Sequence, residues 1–246
     1  MDPTSPTPIG TDERRQSWIG EVLTVYPGYY LSRLGRRRTP DPLPPGEIGA
    51  LMIPGMFSGL RIYGRLMHRI RTRGIPVSGL DFGSNMWGSL DDRVEALRAA
   101  VDAHAKSGGR VVLVAHSMGT LVGARFLLEK HAAVAGFVSI CGVFGGLKRW
   151  TLLGWPIFRV VREMRNETGS RLPPAIRDVL RNPAVPTTVF QGDMDEFVRD
   201  QSQVADVVRF RTSVTHNGPI RKHRALDAIA ERVAEYATRS PTVPAR

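Results

Sequence analysis

Two hydrophobic patterns alternate along most of the chain. Short apolar runs predict strands at residues 48–53, 77–82, 110–115, 134–140, 185–190 and 207–214. Helical spacing predicts helices at residues 60–73, 118–131 and 223–236, and another that starts at a capping box formed by Ser89 and Asp92. Strands that alternate with helices indicate an α/β fold with a doubly wound, mostly parallel sheet.

The patterns also divide the chain. Residues 1–46 hold an N-terminal tail, an apolar and aromatic segment, and a Pro-rich linker, whereas residues 47–240 carry the α/β pattern. About residues 145–182 separate two predicted strands. This interval predicts a short helical insertion, a lid over the carboxyl edge of the sheet.

Composition narrows the range of partners and compartments. The chain has 246 residues and a single cysteine, Cys141, which favours a reducing, cytoplasmic location. No secretory signal is expected in the first 20 residues, and no apolar run reaches the roughly 18 residues of a membrane span. The 34 basic residues exceed the 23 acidic ones by 11, which favours anionic partners.

Most of the basic residues are arginines scattered along the chain, which favours a solvated surface over a single binding patch. No nucleic-acid recognition module accompanies them, so we expect no specific nucleic acid partner. Peripheral contact with an anionic membrane stays open.

The third predicted strand ends in Ala115-His116-Ser117-Met118-Gly119 and is followed directly by a helix. Small residues two positions before and after a serine, between a strand and a helix, are typical of a nucleophile elbow. Ser117 is therefore the predicted nucleophile.

A serine hydroxyl needs a base, and the base needs a carboxylate that orients it. Asp195 follows the strand predicted at 185–190 and is the favoured acid, with Asp193 and Glu196 as alternatives. His216 follows the last strand and is the favoured base, with His223 as the alternative.

Acyl transfer also requires donors for a developing oxyanion. The backbone N–H of Met118 directly follows the nucleophile and is the first predicted donor. The loop at residues 54–59 follows the first strand, and Met56 there supplies the second.

Four segments resemble the α/β-hydrolase superfamily, and within it bacterial triacylglycerol lipases and esterases. They are IPGMFSG, VVLVAHSMGTLVGARFLL, GDMDEFV and THNGPIRKHRALDAI, and the resemblance covers roughly residues 47–238. It implies a Ser-Asp-His esterase with neither cofactor nor metal. Two positions depart from the lipase pattern: Pro54 stands where His is usual, and Ala115 stands where Gly is usual.

The insertion indicates the class of substrate. Its sequence KRWTLLGWPIFRVVREM mixes aromatic and aliphatic side chains with basic ones, as expected of a cover that binds acyl chains or of a helix packed shut over the sheet. The predicted substrate-binding residues are apolar: Phe57, Trp150, Leu153, Trp155 and Phe158. The expected activity is hydrolysis of a lipophilic acyl ester. Acyl transfer or thioester cleavage by the same triad and a noncatalytic membrane-binding role are the alternatives.

Overall fold

The computed structural model describes residues 41–56, 58–82, 88–146, 159–193, 195, 197–199, 206–210 and 215–239. Its strands, in chain order, are β1 Ile48–Ile53, β2 Val77–Gly79, β3 Arg110–His116, β4 Val134–Ile140, β5 Thr187–Gly192 and β6 Val207–Phe210. The helices are α1 Gly64–Arg71, α2 Leu90–Lys106, α3 Met118–Leu127, α4 Arg159–Asn166, α5 Pro174–Arg181 and α6 His223–Thr238.

The six strands form one sheet in the order β2-β1-β3-β4-β5-β6, and every pairing is parallel. This arrangement confirms the predicted doubly wound α/β fold. β3 lies near the middle, between β1 and β4, and its residues from Val111 onward are buried because helices cover both of its faces. The carboxyl ends of all strands therefore meet at one edge, where parallel sheets carry their sites.

Two predicted helices have different limits in the structure. The helix predicted at 60–73 begins as a 3₁₀ turn over Leu60–Tyr63 and becomes α-helical only at Gly64. Tyr63 is fully buried in that turn, with its hydroxyl hydrogen-bonded to the Gly55 amide. The helix predicted at 118–131 ends at Leu127, because the chain then tightens into three-residue turns and reaches Lys130 at a positive φ of 51°.

Strand limits also differ. β2 ends at Gly79 instead of residue 82, and β5 runs from Thr187 to Gly192 instead of from 185 to 190. β6 is described only as far as Phe210, so the predicted continuation to residue 214 lies outside the described residues. The capping box at the start of α2 is formed as predicted, with the Ser89 hydroxyl and the Asp92 carboxylate each accepting from the other's amide.

Each face of the sheet packs against its own helices. Apolar side chains of α1 and α6 cover one face, including Leu66 and Ile70 from α1 and Ile229 and Val233 from α6. Side chains of α2, α3, α4 and α5 cover the other. Among the described residues, no helix is both long and apolar enough to cross a lipid bilayer.

Candidate active site

Ser117 lies at the sharp turn between β3 and α3. Its backbone has φ 54° and ψ −122°, a conformation that non-glycine residues rarely adopt. Its amide donates to the Ile140 carbonyl at 3.0 Å, which ties the turn to the end of the neighbouring strand. The strained turn lifts the hydroxyl above the carboxyl edge of the sheet, as a nucleophile elbow requires.

The small residues around Ser117 allow close packing of the turn. A Cβ atom at Gly119 would lie 2.5 Å from the carbonyl oxygen of Ile53 and 2.6 Å from that of Pro54. Real Cβ atoms do not approach backbone oxygens this closely, so any larger residue would push α3 away from the end of β1. Ala115 is fully buried in β3, paired with Ile53 on one side, so the sheet accommodates its methyl group.

His216 lies in the loop after β6 and contacts the serine directly. Its Nε2 atom is 2.9 Å from the Ser117 hydroxyl. The residue is 6% exposed, and the ring of Phe197 packs edge-on against its imidazole with 5.4 Å between the centroids. An imidazole at this distance can accept the hydroxyl proton without rearrangement.

Asp195 completes the line on the other side of the imidazole. Its Oδ2 atom lies 2.9 Å from Nδ1 of His216, and its Oδ1 atom accepts the amides of Phe197 at 3.0 Å and Val198 at 2.9 Å. Burial alone would raise the pKa of Asp195. The charge of His216, its hydrogen bond and the two amides outweigh burial and hold this pKa below its usual value, so the carboxylate stays ionised at neutral pH.

The structure therefore brings together the favoured members of each predicted set: Ser117, Asp195 and His216. Of the alternatives, Asp193 lies in the turn after β5, where its amide donates to Phe210, and His223 begins α6 beside Arg69. Glu196 lies outside the described residues.

Both predicted oxyanion donors belong to segments that pass next to the serine. Met118 is the first residue of α3, so its amide has no carbonyl partner four residues earlier within the helix. Met56 follows Gly55, which approaches the nucleophile closely: a Cβ atom built on Gly55 would lie 3.0 Å from the Cβ of Ser117. The loop after β1 is thus directly beside the serine.

A second buried network, absent from the sequence-based prediction, connects the two loops of the site. The Nε2 atom of His116 lies 3.3 Å from the carbonyl oxygen of His216, and its Nδ1 atom lies 3.0 Å from the Tyr63 hydroxyl. The Tyr63 oxygen in turn accepts the Gly55 amide at 2.9 Å. Ser58 lies 2.9 Å from the Tyr63 hydroxyl and donates to the Gly55 carbonyl at 2.8 Å.

The acceptors in this network determine where its protons lie. A carbonyl oxygen only accepts, so Nε2 of His116 must donate to His216, and Nδ1 must then accept from Tyr63. Burial, reinforced by the charge of His216, lowers the pKa of His116 to about 3, and burial raises the pKa of Tyr63. Both side chains are therefore neutral at physiological pH.

Sequence position offers one weak clue to this network, namely that His116 directly precedes the nucleophile. The partner of His116 could not be found in the same way, because Tyr63 lies 53 residues away and in a segment expected to be helical. Only the tertiary structure shows that the two rings meet, with their centroids 5.6 Å apart.

Cys141 also lies at the site. It follows β4 directly, is fully buried, and has a positive φ of 48°. Potential ligand atoms of Cys141, Asp195 and His216 all lie within 4.8 Å of one another, the only such group of three or more among the described residues. Because Asp195 and His216 are hydrogen-bonded to each other, this group is part of the acid-base pair already described, with a neighbouring thiol.

Phe57, Trp150, Leu153, Trp155 and Phe158 lie outside the described residues. Apolar side chains of the described part of the insertion pack into the core of the domain, and two of its glutamates also bond to other helices. Glu163 accepts the amide of Leu90 at 2.5 Å, and Glu167 accepts two hydrogen bonds from Arg125 at 2.5 and 2.8 Å.

Comparison with known families agrees with the observed fold. The model of the alpha/beta hydrolase family matches residues 50–245. The chain belongs to the alpha/beta hydrolase family. This membership confirms the resemblance on which the sequence-based prediction relied, and the match covers most of β1 and all of β2 to β6.

Solved structures share the fold of this α/β-hydrolase at low sequence identity. A metagenome-derived lipolytic enzyme, from work on LipS and LipT, is 12% identical with a TM-score of 0.60 and covers 80% of this chain and 99% of its own. A monoacylglycerol lipase of Paleococcus ferrophilus is 12% identical with a TM-score of 0.60, and the match covers 81% of this chain and 98% of the lipase. An esterase domain from Rhodothermus marinus is 16% identical with a TM-score of 0.56, and the match covers 80% of this chain and 90% of the esterase domain. A comparison with curated proteins finds no match.

Proposed function

We propose that this α/β-hydrolase is a serine carboxylic-ester hydrolase that cleaves a lipophilic acyl ester through an acyl-enzyme. The observation that carries the proposal is the line of hydrogen bonds from Asp195 Oδ2 to His216 Nδ1 and from His216 Nε2 to Ser117 Oγ, each 2.9 Å long. A serine hydroxyl becomes an effective nucleophile when a base of this kind removes its proton during attack.

In this mechanism Ser117 attacks the ester carbonyl while His216 takes the hydroxyl proton. His216 returns that proton to the departing alcohol, and the acyl group stays on Ser117. A water molecule then attacks the acyl-enzyme, with His216 again acting as the base, and the acid is released. Asp195 remains ionised throughout and stabilises the imidazolium, a role supported by its depressed pKa.

The amides of Met56 and Met118 are the proposed donors to the oxyanion. The start of α3 supports this role for Met118, since the first turn of a helix presents free N–H groups and a partial positive charge. The close approach of Gly55 to Ser117 supports it for Met56. The mechanism uses only side chains and backbone amides of this chain and requires no cofactor.

The proposed substrate class rests on two further observations. The insertion between β4 and β5 is rich in aromatic and aliphatic residues, and we propose that Phe57, Trp150, Leu153, Trp155 and Phe158 bind the acyl chain. Structures with the same fold include proteins described as a lipolytic enzyme and a monoacylglycerol lipase.

Ser117→Ala tests the proposal. Wild-type protein should hydrolyse p-nitrophenyl esters, with longer acyl chains preferred over acetate, and should be labelled by a fluorophosphonate. Removal of the nucleophile should lower kcat by at least about 10⁴-fold and abolish labelling, because only the oxyanion donors and substrate binding then remain.

The matched control is Ser170→Ala, which removes the hydroxyl of an exposed serine and should change neither activity nor labelling. Both variants should melt at the wild-type temperature. Labelling that persists in Ser117→Ala would show that another residue is the nucleophile. A transfer product that exceeds free acid in the presence of an alcohol acceptor would assign the triad to acyl transfer.

A further inference from the structure

One side of the described structure carries a marked excess of basic over acidic residues. Residues 60–74 and 221–231, which include α1 and the first half of α6, contain eight arginine and lysine residues and only two carboxylates, Asp227 and Glu231. The cations are Arg61, Arg65, Arg69, Arg71, Arg73, Arg221, Lys222 and Arg224. These two segments, called the basic face below, carry more than half of the net charge of the chain.

The two segments form one continuous surface. The Nη2 atom of Arg69 lies 3.1 Å from Nδ1 of His223, and Arg73 contacts both Asp227 and Glu231, at 3.7 and 3.2 Å. The later residue, Arg73, contacts residues that come later in α6 than the partner of Arg69, so α1 and α6 run in the same direction. Both carboxylates of the basic face are thus already engaged by its own arginines.

The opposite face of the sheet shows the contrast. Residues 90–106 and 118–130, which include α2 and α3, hold five carboxylates and five cations, and residues 159–181, which include α4 and α5, hold three carboxylates and six cations. Arg98 pairs there with Glu95 and Glu129, and Arg125 pairs with Asp91 and Glu167. The opposite face thus carries a net charge of +3 over 53 residues, against +6 over the 26 residues of the basic face, so the positive charge is denser on α1 and the start of α6.

The basic face adjoins the site. The oxyanion loop leads directly into the 3₁₀ turn that contains Tyr63, and the loop of His216 leads directly to Arg221. Arg61, Arg65 and Arg224 are exposed at the ends of α1 and α6 nearest these loops. A surface that binds these cations would therefore lie next to the loops that carry the catalytic groups.

We propose that the basic face docks this protein on a lipid bilayer that contains anionic headgroups. Guanidinium groups suit lipid phosphates, and a broad cluster of cations gains affinity from a surface of many anions without any single built pocket. The choice of a bilayer over another polyanion rests on the proposed function, because a lipophilic ester resides in membranes. Docking holds the oxyanion loop and the histidine loop beside the surface from which such an ester is taken.

The experiment is co-sedimentation of the full chain with vesicles of phosphatidylcholine, with or without phosphatidylglycerol. Wild-type protein should bind only the anionic vesicles, and binding should fall steeply as salt rises. The variant Arg61→Gln/Arg65→Gln/Lys222→Gln/Arg224→Gln should lose on the order of 100-fold or more in vesicle partitioning, given the contribution expected from each surface charge.

A matched variant removes four exposed cations from the other side of the sheet: Lys106→Gln/Lys130→Gln/Arg171→Gln/Arg181→Gln. It has the same net charge as the first variant and should keep nearly all of the binding. Equal losses in the two variants would show that net charge alone is responsible and would overturn the proposal, as would wild-type binding to neutral vesicles. Unchanged melting temperatures exclude unfolding as the cause of any loss.

Two further measurements keep the outcomes separate. Both variants should hydrolyse a soluble p-nitrophenyl ester at the wild-type rate, because none of these eight residues belongs to the proposed triad or oxyanion loop. Absence of hydrolysis in the wild type would refute the proposed function. The vesicle assay would still decide separately whether the basic face binds anionic bilayers. Binding of short duplex DNA more tightly than anionic vesicles, lost in the first variant only, would assign the basic face to nucleic acid instead.

Discussion

At the scale of single residues, the candidate site depends on a backbone strain that neighbouring strands hold in place. A non-glycine residue with positive φ costs of order 1–3 kcal/mol. At Ser117 the cost is offset locally, because its amide donates to Ile140 and its carbonyl accepts both the amide and the hydroxyl of Thr120, at 3.0 and 2.6 Å. The strand and helix thus hold the serine hydroxyl at the distance that His216 requires.

Tyr63 and His116 are positioning residues, because their hydrogen bonds connect the loop of Gly55 to the loop of His216. Tyr63→Phe removes the donor to His116 and leaves the Gly55 amide without its acceptor, so both loops of the site lose a buried hydrogen bond. Leaving a buried polar group unsatisfied typically costs about 1–3 kcal/mol of free energy. Because the unsatisfied groups hold the two loops of the site, we expect the loops to shift and kcat to fall about tenfold or more. KM should change little, since neither residue belongs to the predicted acyl-binding set.

Tyr236→Phe is the matched control for this prediction. It removes the hydroxyl of another buried tyrosine, one that bonds to Thr188 at 2.5 Å on β5, away from both loops. Tyr236→Phe should lower stability without lowering kcat. Steady-state kinetics with a p-nitrophenyl ester separates the two cases, and a wild-type kcat in Tyr63→Phe would refute the positioning role.

At the scale of elements, the elbow forms because α3 begins directly against the end of β1. Gly119→Ala would place a methyl group about 2.5 Å from the Ile53 carbonyl oxygen, so α3 must shift. We expect this change to lower the free energy of unfolding by about 1–3 kcal/mol, the usual cost of overpacking, and to lower ester hydrolysis further by misplacing Ser117.

Gly64→Ala provides the comparison, because a Cβ atom there meets no atom within 4 Å and its backbone is already helical. This variant should be neutral or stabilised by up to about 1 kcal/mol, with unchanged activity. Urea denaturation and p-nitrophenyl ester hydrolysis measure both effects. If Gly119→Ala behaves like Gly64→Ala, close packing at the elbow is not required.

The types and order of the elements could be predicted from sequence because they follow from local periodicity. Their limits could not be predicted equally well. The 3₁₀ turn before α1 exists because Tyr63 reaches Gly55 and His116, contacts that no local pattern contains. The end of α3 depends on Lys130 taking a positive φ, which is unusual for lysine.

At the scale of the whole molecule, buried histidine makes stability depend on pH. The pKa of His116 is lowered from 6.5 to about 3 in the folded protein, so between these values the unfolded chain binds a proton that the folded chain does not. Stability therefore falls as pH is lowered through this window, by up to about 1.4 kcal/mol per pH unit. Asp195 has a lowered pKa and adds to this loss only below its ordinary value of 3.8.

His116→Gln isolates this contribution, since glutamine does not titrate. Chemical denaturation at a series of pH values should show a shallower decline for His116→Gln than for the wild type between pH 6.5 and 4. His223→Gln removes an exposed histidine and should keep the wild-type slope. Parallel declines in all three proteins would show that His116 is not the group responsible.

Charge is the other property of the whole molecule, and its distribution in space depends on the fold. Arginine is spread along the chain, which favours an evenly solvated surface. Folding places α1 beside the start of α6 and so gathers eight cations from two segments about 150 residues apart. On the opposite face, Arg98 of α2 and Arg125 of α3 are paired with carboxylates.

The sequence by itself determined the α/β class, the order of the elements and the positions at which a nucleophile, an acid and a base would be sought. It could do so because each of these depends on a short segment: a buried run, a turn and the residues that follow it. Only the tertiary structure decided that Asp195 instead of Asp193 meets His216, that Tyr63 and His116 join the two loops, and that eight cations from two distant segments share one face. These are contacts between distant segments, and their geometry depends on how the whole chain packs.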